Sequence, residues 1–210
     1  MIHIGTVDIS TLDEGSFQTL YHLASTERQQ KAKRYLRKPD AHRCIVADAL
    51  LRYALRYSLG TDRVTLSKTH AGKPFLPERR DFHFNLSHSG RWVVLAWSRR
   101  PVGIDVETVC MDESKEHLAR RFYHPDEQSY LFAASGPERA KRFYEIWTKK
   151  ESYLKYQGTG INRSLSSFSV LHLPEVAFHT QPLEDAVLTL CAETTECQII
   201  PVTVSMLLSE

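Results

Sequence analysis

The stretch "PVGIDVE", Pro101 to Glu107, sets two acidic side chains on one face of a single predicted strand. Its apolar residues Val102, Ile104 and Val106 alternate with the others, which is the period of a strand with one buried face. Asp105 and Glu107 then share the opposite face, about 6–7 Å apart along the strand. A chain that places two like charges so close together requires a further group to compensate them.

The segment Ser135–Gly158, "SGPERAKRFYEIWTKKESYLKYQG", is the longest helix predicted from the sequence. Ser135 and Glu138 have the spacing of a capping box, and Gly158 is a typical helix end.

The apolar stripe of this helix contains charged residues. Lys150 falls in the middle of the stripe with Phe143 and Leu154, while Glu151 lies at its border beside Lys155. Two interpretations are open: a lysine that extends its ammonium to solvent beside an exposed Glu151–Lys155 pair, or charges that are paired or bound to a metal ion.

Three carboxylates, Asp105, Glu107 and Glu151, are therefore candidates for a shared site. Neighbouring carboxylates repel each other unless a cation lies among them. A set of oxygen ligands without histidine or cysteine is suited to Mg²⁺, which usually binds substrate phosphates as well. The pattern indicates phosphate chemistry.

Groups that bind anions occur in three other segments. "NLSHSG", Asn85–Gly90, offers the hydroxyl of Ser87 and the imidazole of His88, and "GKP" places Lys73 on a stiff loop. The run from Arg28 to Arg43 holds seven Lys or Arg residues against one acid. Such a run suits phosphates or an acidic protein surface, but is also common on a solvated helix face.

The remaining pattern predicts a mixed α+β fold. An opening strand (residues 3–10), a basic helix ending near Pro39 and a second helix from Asp40 to Gly60 come first. Strands at 82–87, 92–97 and 102–107 follow as an antiparallel meander. After a helix at 115–123 and the long helix come strands at 167–173, 186–193 and 198–205.

Composition excludes several classes of protein. The 210 residues carry a net charge of +2, and the sequence has no pattern of basic residues alternating with stacking aromatic residues, so nucleic-acid binding is not expected. The four cysteines have no CxxC spacing and are expected to be reduced thiols. No signal peptide or membrane span is predicted, which indicates a cytoplasmic protein without membrane contact.

Taken together, the motifs resemble those of the 4′-phosphopantetheinyl transferases, in particular the larger single-chain, Sfp-like type. The order and spacing of these motifs match the family, and "GIDVE" followed about 40 residues later by "WTKKES" is the most specific part. The matching segments are "GKP" (72–74), "FNLSHSG" (84–90), "VGIDVE" (102–107), "RFYHPDE" (121–127), "WTKKESYLK" (147–155) and "GTGI" (158–161).

The resemblance implies two similar α+β subdomains, residues 1–107 and 108–210, related by a pseudo-twofold axis, with coenzyme A and Mg²⁺ (or Mn²⁺) bound in the cleft between them. The phosphopantetheine arm would move to a serine of an acyl or peptidyl carrier protein. The metal ligands would be Asp105, Glu107 and Glu151.

The resemblance also assigns the remaining site residues. Lys155 would contact the pyrophosphate, Glu127 would pair with Lys150, and Glu151 or a metal-bound water would act as general base. Asp105, Glu151 and Lys155 form the catalytic set. The nucleotide end would be bound by Lys73, Ser87 and His88, with Arg28, Lys31 and Arg43 around the 3′-phosphate.

The sequence departs from the family pattern at two places. Arg28 stands where relatives often have lysine, which keeps the charge but changes its geometry. The segment before residue 186 is short, so the second sheet is expected to have lost strands.

The acidic helix of a carrier protein is expected to dock on a monomeric enzyme near a group of basic residues with Phe122 or Tyr123 exposed beside them. The basic residues are Arg120, Arg121, Arg139, Lys141 and Arg142. The sequence does not identify the carrier or its biosynthetic pathway.

Two alternatives use the same residues. One is a Mg²⁺-dependent nucleotide phosphohydrolase, and the other is a module that binds coenzyme A or carrier protein without catalysis. The second would be marked by loss of a metal ligand or of Lys155, and all of them are present.

Overall fold

The computed structural model of the chain describes residues 1–110, 114–158 and 164–209. It is a mixed α+β structure, as the sequence predicts, with helices packed on sheets. The strands are antiparallel except for β9 (Cys197–Pro201), which pairs parallel with β1 (Ile2–Asp8). Residues 159–161 of the "GTGI" motif lie outside the described residues.

Three helices cover the first sheet: α1 (Glu14–Leu23), α2 (Thr26–Lys33) and α3 (Lys38–Leu59). The sequence predicts one basic helix that ends near Pro39, and this prediction is wrong. The basic helix α2 ends at Lys33, and α3 already begins at Lys38. Proline is accepted in the first turn of a helix, where its missing N–H costs nothing. Asp40 therefore lies inside the first turn instead of capping the helix. The predicted end at Gly60 is confirmed, with φ at 69°.

The first sheet has the strand order β4-β5-β1-β9. Its central strand β1 pairs antiparallel with β5 and parallel with β9, so that Thr6 lies between Val94 and Pro201. The strands are β1 (Ile2–Asp8), β4 (His83–Ser89), β5 (Trp92–Ser98) and β9 (Cys197–Pro201); β2 (Ser67–Lys68) and β3 (Pro74–Phe75) form a separate small ribbon.

The second sheet has the order β6-β8-β7 and is antiparallel. Its strands are β6 (Gly103–Thr108), β7 (Ala177–Pro182) and β8 (Ala186–Ala192). The predicted meander is correct for β4–β5 and wrong for β5–β6, because the chain changes sheets at residues 99–102. β7, which the sequence analysis did not predict, is the third strand of this sheet.

The described part of the chain has four further α-helices: α4 (Ser114–Phe122), α5 (Pro125–Phe132), α6 (Gly136–Gln157) and α7 (Val204–Leu208). Ser135 is the N-cap of α6, but the predicted capping box is wrong within the described residues. Glu138 instead pairs with Arg142, 3.0 Å away, and the Ser135 side chain makes no cap bond there. Gly158 ends α6 with φ at 67°, as predicted.

The strand predicted at residues 167–173 is wrong. A short 3-10 turn, Leu165–Ser167, and a loop occupy this segment. The backbone here bonds to a buried ion pair and not to a sheet: Lys150 donates to the carbonyls of Leu165 and Phe168, and Val170 N–H donates to Glu127. The predicted Lys150–Glu127 pair is confirmed, with Nζ and Oε2 2.7 Å apart and both side chains fully buried.

The core is layered as helix, sheet, sheet, helix. One apolar cluster lies between α3 and the first sheet, and another between α6 and the second sheet. A third lies between the two sheets, where Ile4 and Val94 meet Ile104 and Leu188, all buried. This shared layer fixes the second sheet relative to the first.

No helix in the described ranges is both long enough and apolar enough to cross a membrane. All four cysteines are free thiols, as predicted.

Candidate active site

A pocket of about 390 Å³ opens where α2 and α3 face β6 and α6. Basic residues line one end and carboxylates the other, so the pocket suits a ligand that carries several negative charges. It is lined by Arg28, Lys31, Tyr35, Cys44, Ala47, Pro74, Leu86, Ser87, His88, Asp105, Glu107, Glu151 and Lys155.

The alternation of β6 positions its two carboxylates. Ile104 and Val106 are fully buried between the sheets, which directs Asp105 and Glu107 to the opposite face. That face meets β4 through side chains: the Ser87 hydroxyl donates to Asp105 Oδ1 at 2.8 Å, and the Ser89 hydroxyl donates to Glu107 Oε2 at 2.9 Å.

Asn85 completes this contact between β4 and β6. Its Oδ1 accepts the backbone N–H of Ile104 at 2.8 Å. In the described structure, β4 and β6 belong to different sheets and are not joined by backbone hydrogen bonds of a sheet. The side chains at positions 85, 87 and 89 of β4 join them instead.

Lys155 connects α6 to β6. Its ammonium donates to Asp105 Oδ1 at 2.6 Å and to the Ser87 hydroxyl at 3.0 Å. Asp105 Oδ2 is buried and has no hydrogen-bond partner among the described residues. Lys155 thus neutralises Asp105 through Oδ1, and Oδ2 remains available to a ligand in the pocket.

Glu107 and Glu151 line the pocket with Asp105. Burial raises the pKa of each carboxyl above its ordinary value, and the negative charge of Asp105 raises it further. A cation brought among the three would relieve this repulsion.

The three carboxylates are nevertheless not closed into a ready ligand set. Within the described ranges, no group of three or more His, Cys, Asp or Glu side chains is close enough to hold a metal ion as it stands. Lys155 supplies the positive charge at Asp105 instead.

The cationic end is formed by α2 and by the start of α3. Arg28 and Lys31 line the pocket itself. Arg43 bonds to Asp40 and donates to the carbonyl of Gly90 at 2.6 Å. Burial lowers the pKa of His88 and nearby Arg43 lowers it further, which favours the neutral imidazole over the charged donor expected from the sequence.

Lys73 has a different environment from the other lysines. Its ammonium donates to the carbonyl of Lys155 at 2.5 Å and to that of Val102 at 3.2 Å. Burial lowers its pKa to about 8. Lys73 lines an adjoining cavity of about 290 Å³ and ties its loop to the C-terminal turn of α6.

Sequence comparison identifies relatives for both halves of the chain. Residues 101–199 match the 4′-phosphopantetheinyl transferase superfamily, and residues 13–100 match the N-terminal region of 4′-phosphopantetheinyl transferases. A 4′-phosphopantetheinyl transferase of Bacillus subtilis is 38% identical over 76% of this chain and 71% of its own length.

The chain belongs to the 4′-phosphopantetheinyl transferase family. The 4′-phosphopantetheinyl transferase Sfp of Bacillus subtilis (strain 168) is 39% identical over 70% of this chain and 65% of its own length. The 4′-phosphopantetheinyl transferase gsp of Aneurinibacillus migulanus is 36% identical over 75% of this chain and 65% of its own length. The resemblance inferred from the motifs, and the transferase class with it, are confirmed.

Two features of this phosphopantetheinyl transferase were missed from the sequence. The contact of Asn85 with β6 is visible in retrospect as the polar alternation at 85, 87 and 89. Asp48, an acid in the middle of α3, is buried and lies 3.4 Å from Arg28 Nε.

One residue expected on the carrier-docking face is not exposed. Tyr123 is buried, and its hydroxyl donates to the carbonyl of Phe143 at 2.6 Å. Tyr130 is exposed in the same region, where the Arg142 guanidinium lies 4.3 Å from its ring centre.

Proposed function

We propose that the chain transfers the 4′-phosphopantetheine arm of coenzyme A to a serine hydroxyl of an acyl or peptidyl carrier protein, and releases adenosine 3′,5′-bisphosphate. The observation that carries this proposal is the Lys155–Ser87–Asp105 contact, in a pocket with Arg28 and Lys31 at its other end. Coenzyme A has a pyrophosphate and a separate 3′-phosphate, which suits two regions of positive charge. The relatives named above carry the same activity in their names.

The nucleotide end of coenzyme A would lie toward α2 and β4. Arg28, Lys31 and Arg43 would surround the 3′-phosphate, since guanidinium and ammonium groups form strong charge-assisted bonds with phosphate. Ser87 and His88 would hold the rest of the nucleotide. Lys73 would reach it only if its ammonium left the carbonyls of Lys155 and Val102. A bound phosphate would favour the protonated form of His88, opposing the effect of burial.

The three carboxylates are the residues that would have to close around a divalent cation, since they do not form a complete ligand set as they stand among the described residues. Asp105 Oδ2 is buried without a partner among the described residues, and Glu107 and Glu151 have raised pKa values. We propose that these residues hold Mg²⁺, or Mn²⁺ in its place. Bound there, the ion would neutralise pyrophosphate charge and stabilise the leaving phosphate.

The chain's own residues would orient the substrates and move the proton. Lys155 would contact the pyrophosphate and stabilise the charge that develops during transfer. Glu151 would accept the proton of the carrier serine, and burial makes its carboxylate a stronger base than an exposed glutamate.

The two halves, residues 1–107 and 108–210, would be similar subdomains related by a pseudo-twofold axis. Each has a helix of 22 residues, α3 or α6, that packs on a sheet. Two strands cross this division, because β6 belongs to the second sheet and β9 to the first. Both helices end in a left-handed glycine, Gly60 or Gly158. Since one chain supplies both walls of the pocket, we propose that the enzyme acts as a monomer.

A carrier protein would dock with an acidic helix on the surface formed by α4, α5 and the start of α6. Arginines stacked on aromatic rings are frequent in protein interfaces. Here Arg120 lies 4.4 Å from the ring centre of Phe132, and Arg121 lies 5.0 Å from that of Phe122. Arg139, Lys141 and Arg142 lie on the same surface, paired with Glu116, Glu145 and Glu138, and would exchange these partners for the acids of the carrier. Association should therefore weaken as salt is added.

The test is to incubate the chain with coenzyme A, Mg²⁺ and a panel of apo carrier domains, and to weigh the products. Transfer adds about 340 Da to the carrier, the mass of the phosphopantetheine arm. Hydrolysis of coenzyme A without this mass gain would favour the phosphohydrolase. Binding without either product would favour a non-catalytic module.

Two variants connect the reaction to the pocket. Asp105→Ala and Glu151→Gln should each lower transfer at least about 100-fold. Glu145→Gln is a matched control on α6, because Glu145 pairs with Lys141 instead of lining the pocket. Near-normal transfer by Asp105→Ala would contradict the proposed metal site.

A further inference from the structure

Asp48 is an acidic residue at the basic end of the pocket. It lies on α3, only 9% exposed, one residue after Ala47 and four after Cys44, both of which line the pocket. Its Oδ1 is 3.4 Å from Nε of Arg28 on α2. A carboxylate there repels phosphate and would be expected to weaken its binding, unless the same carboxylate also favours binding in another way.

The helix that carries Arg28 and Lys31 has little apolar anchoring. Of the eight residues of α2, only Ala32 is buried. The ion pair between Glu27 and Lys68 links α2 to β2, but both side chains are largely exposed, and such pairs contribute little to stability. The Arg28–Asp48 pair is much less exposed and joins α2 to the centre of α3.

The other charges near Asp48 are already engaged. Arg52, one turn later on α3, binds Asp62 with Nε and Oδ2 3.0 Å apart. Burial raises the pKa of Asp48, while Arg28 and then Arg52 act to lower it. Arg28 is thus the direct counterion of Asp48.

The geometry of the pair leaves part of the guanidinium available. Asp48 faces the Nε edge of Arg28. Neither terminal nitrogen of Arg28 has a hydrogen-bond partner among residues 1–110, 114–158 and 164–209. A guanidinium held at Nε keeps its two terminal nitrogens for bidentate binding of a phosphate.

We propose that Asp48 is a positioning residue: it holds Arg28, and α2 with it, so that the guanidinium binds the phosphate at the nucleotide end of the pocket. This inference rests on the proposed function, in which that group is the 3′-phosphate of coenzyme A. Asp48 contributes to substrate affinity without touching the substrate or the reacting atoms.

The kinetic test compares coenzyme A with 3′-dephospho-coenzyme A. Asp48→Asn should raise KM for coenzyme A about tenfold, leave kcat within about twofold, and reduce the preference for coenzyme A over the dephospho form by about the same factor. An equal loss for both substrates, or a loss in kcat alone, would overturn the proposal.

A binding measurement separates this inference from the transfer reaction. By calorimetry, Asp48→Asn should weaken binding of adenosine 3′,5′-bisphosphate about tenfold and change binding of 5′-AMP less than about twofold. If the wild-type chain binds the bisphosphate but transfers nothing, the proposed function fails and this inference is still tested. Unchanged affinity for the bisphosphate in Asp48→Asn would refute the inference alone.

Two further variants serve as comparison and control. Arg28→Gln should lose the same preference for coenzyme A over 3′-dephospho-coenzyme A. The double variant should lose no more of this preference than Arg28→Gln alone, because the two changes remove the same interaction. Additive losses would contradict the coupling. Asp62→Asn removes a carboxylate that pairs with Arg52 and Arg56, and should leave the discrimination unchanged.

If Asp48→Asn fails to fold, Arg28→Gln alone still tests whether Arg28 binds the phosphate at the nucleotide end of the pocket. Full discrimination against the dephospho form in that variant would overturn the proposal.

Discussion

Glu127 and Lys150 form an ion pair in which neither side chain is exposed, with 2.7 Å between Oε2 and Nζ. The pair also binds backbone: Lys150 donates to the carbonyls of Leu165 and Phe168, and Glu127 accepts from Val170 N–H, each at 2.7 Å. It therefore holds α5, α6 and the loop after α6 together.

Removing one member of this pair should destabilise the chain severely. Lys150→Met should lower the free energy of unfolding by about 3–5 kcal/mol, because Glu127 would remain as a buried charge without its counterion. Urea unfolding followed by circular dichroism measures the change.

The double variant Lys150→Met/Glu127→Gln should recover part of this loss, since no uncompensated charge remains. Lys149→Met, at the adjacent position of α6, should change stability by less than about 0.5 kcal/mol. A loss in Lys150→Met as small as that of the control would contradict the predicted role of the pair.

Gly103 allows β6 to lie directly against α6. A Cβ atom at this position would overlap the carbonyl oxygen of Ser152 and the backbone nitrogen of Tyr156. Gly103→Ala should therefore cost about 1–3 kcal/mol of stability and reduce transfer, since Asp105 would move relative to Lys155. Thermal unfolding and the carrier-modification assay test both effects.

Gly15→Ala is the control for this substitution, because Gly15 lies in the first turn of α1, far from the contact between β6 and α6. If Gly103→Ala had the stability and activity of Gly15→Ala, the close packing of β6 on α6 would not be required.

Lys155 is expected to contribute to the reaction and also to the fold. Lys155→Ala should lower kcat at least about 100-fold, because the ammonium beside Asp105 and Ser87 is lost. The thermal unfolding midpoint should fall as well, because the buried carboxylate of Asp105 would lose its counterion. A variant with nearly normal kcat would remove Lys155 from the proposed mechanism.

Stability should depend on pH through Lys73. Burial lowers its pKa from 10.5 to about 8 in the folded chain. Between these values the unfolded chain binds more protons than the folded chain, so the contribution of Lys73 to the free energy of unfolding increases with pH. The increase from pH 8 to pH 10 should be on the order of 1–3 kcal/mol.

Urea unfolding at a series of pH values, with Lys73→Met as reference, isolates this contribution. The variant should lack the increase, whereas Lys68→Met, which removes an exposed lysine, should keep it. Parallel pH profiles for the wild type and Lys73→Met would show that Lys73 does not release its proton early.

The elements that the sequence predicted well are those with local patterns. The alternation of β6 and the apolar stripe of α6 are properties of short segments, and both elements form where predicted. Which sheet a strand joins depends on distant parts of the chain. β6 follows β5 closely but pairs with β8, some 80 residues later, and no local pattern indicates this.

The site shows the same limit. The types of residue that line the pocket were predicted from motifs, but their contacts were not. Lys155 bonds directly to Asp105, and Lys73 turns to the carbonyls of α6 instead of the phosphate-binding end. Asp48 was overlooked because an acid within a helix is informative only once Arg28 is known to face it.

The parallel pairing of β9 with β1 has a consequence for biosynthesis. During translation residues 197–201 are synthesised long after residues 2–8, with which they pair. Until they arrive, one edge of β1 offers unpaired backbone groups, which other chains are able to bind. Nascent copies should therefore be most prone to aggregation just before synthesis of β9, and a chaperone that covers β1 in that interval should raise the yield of folded enzyme.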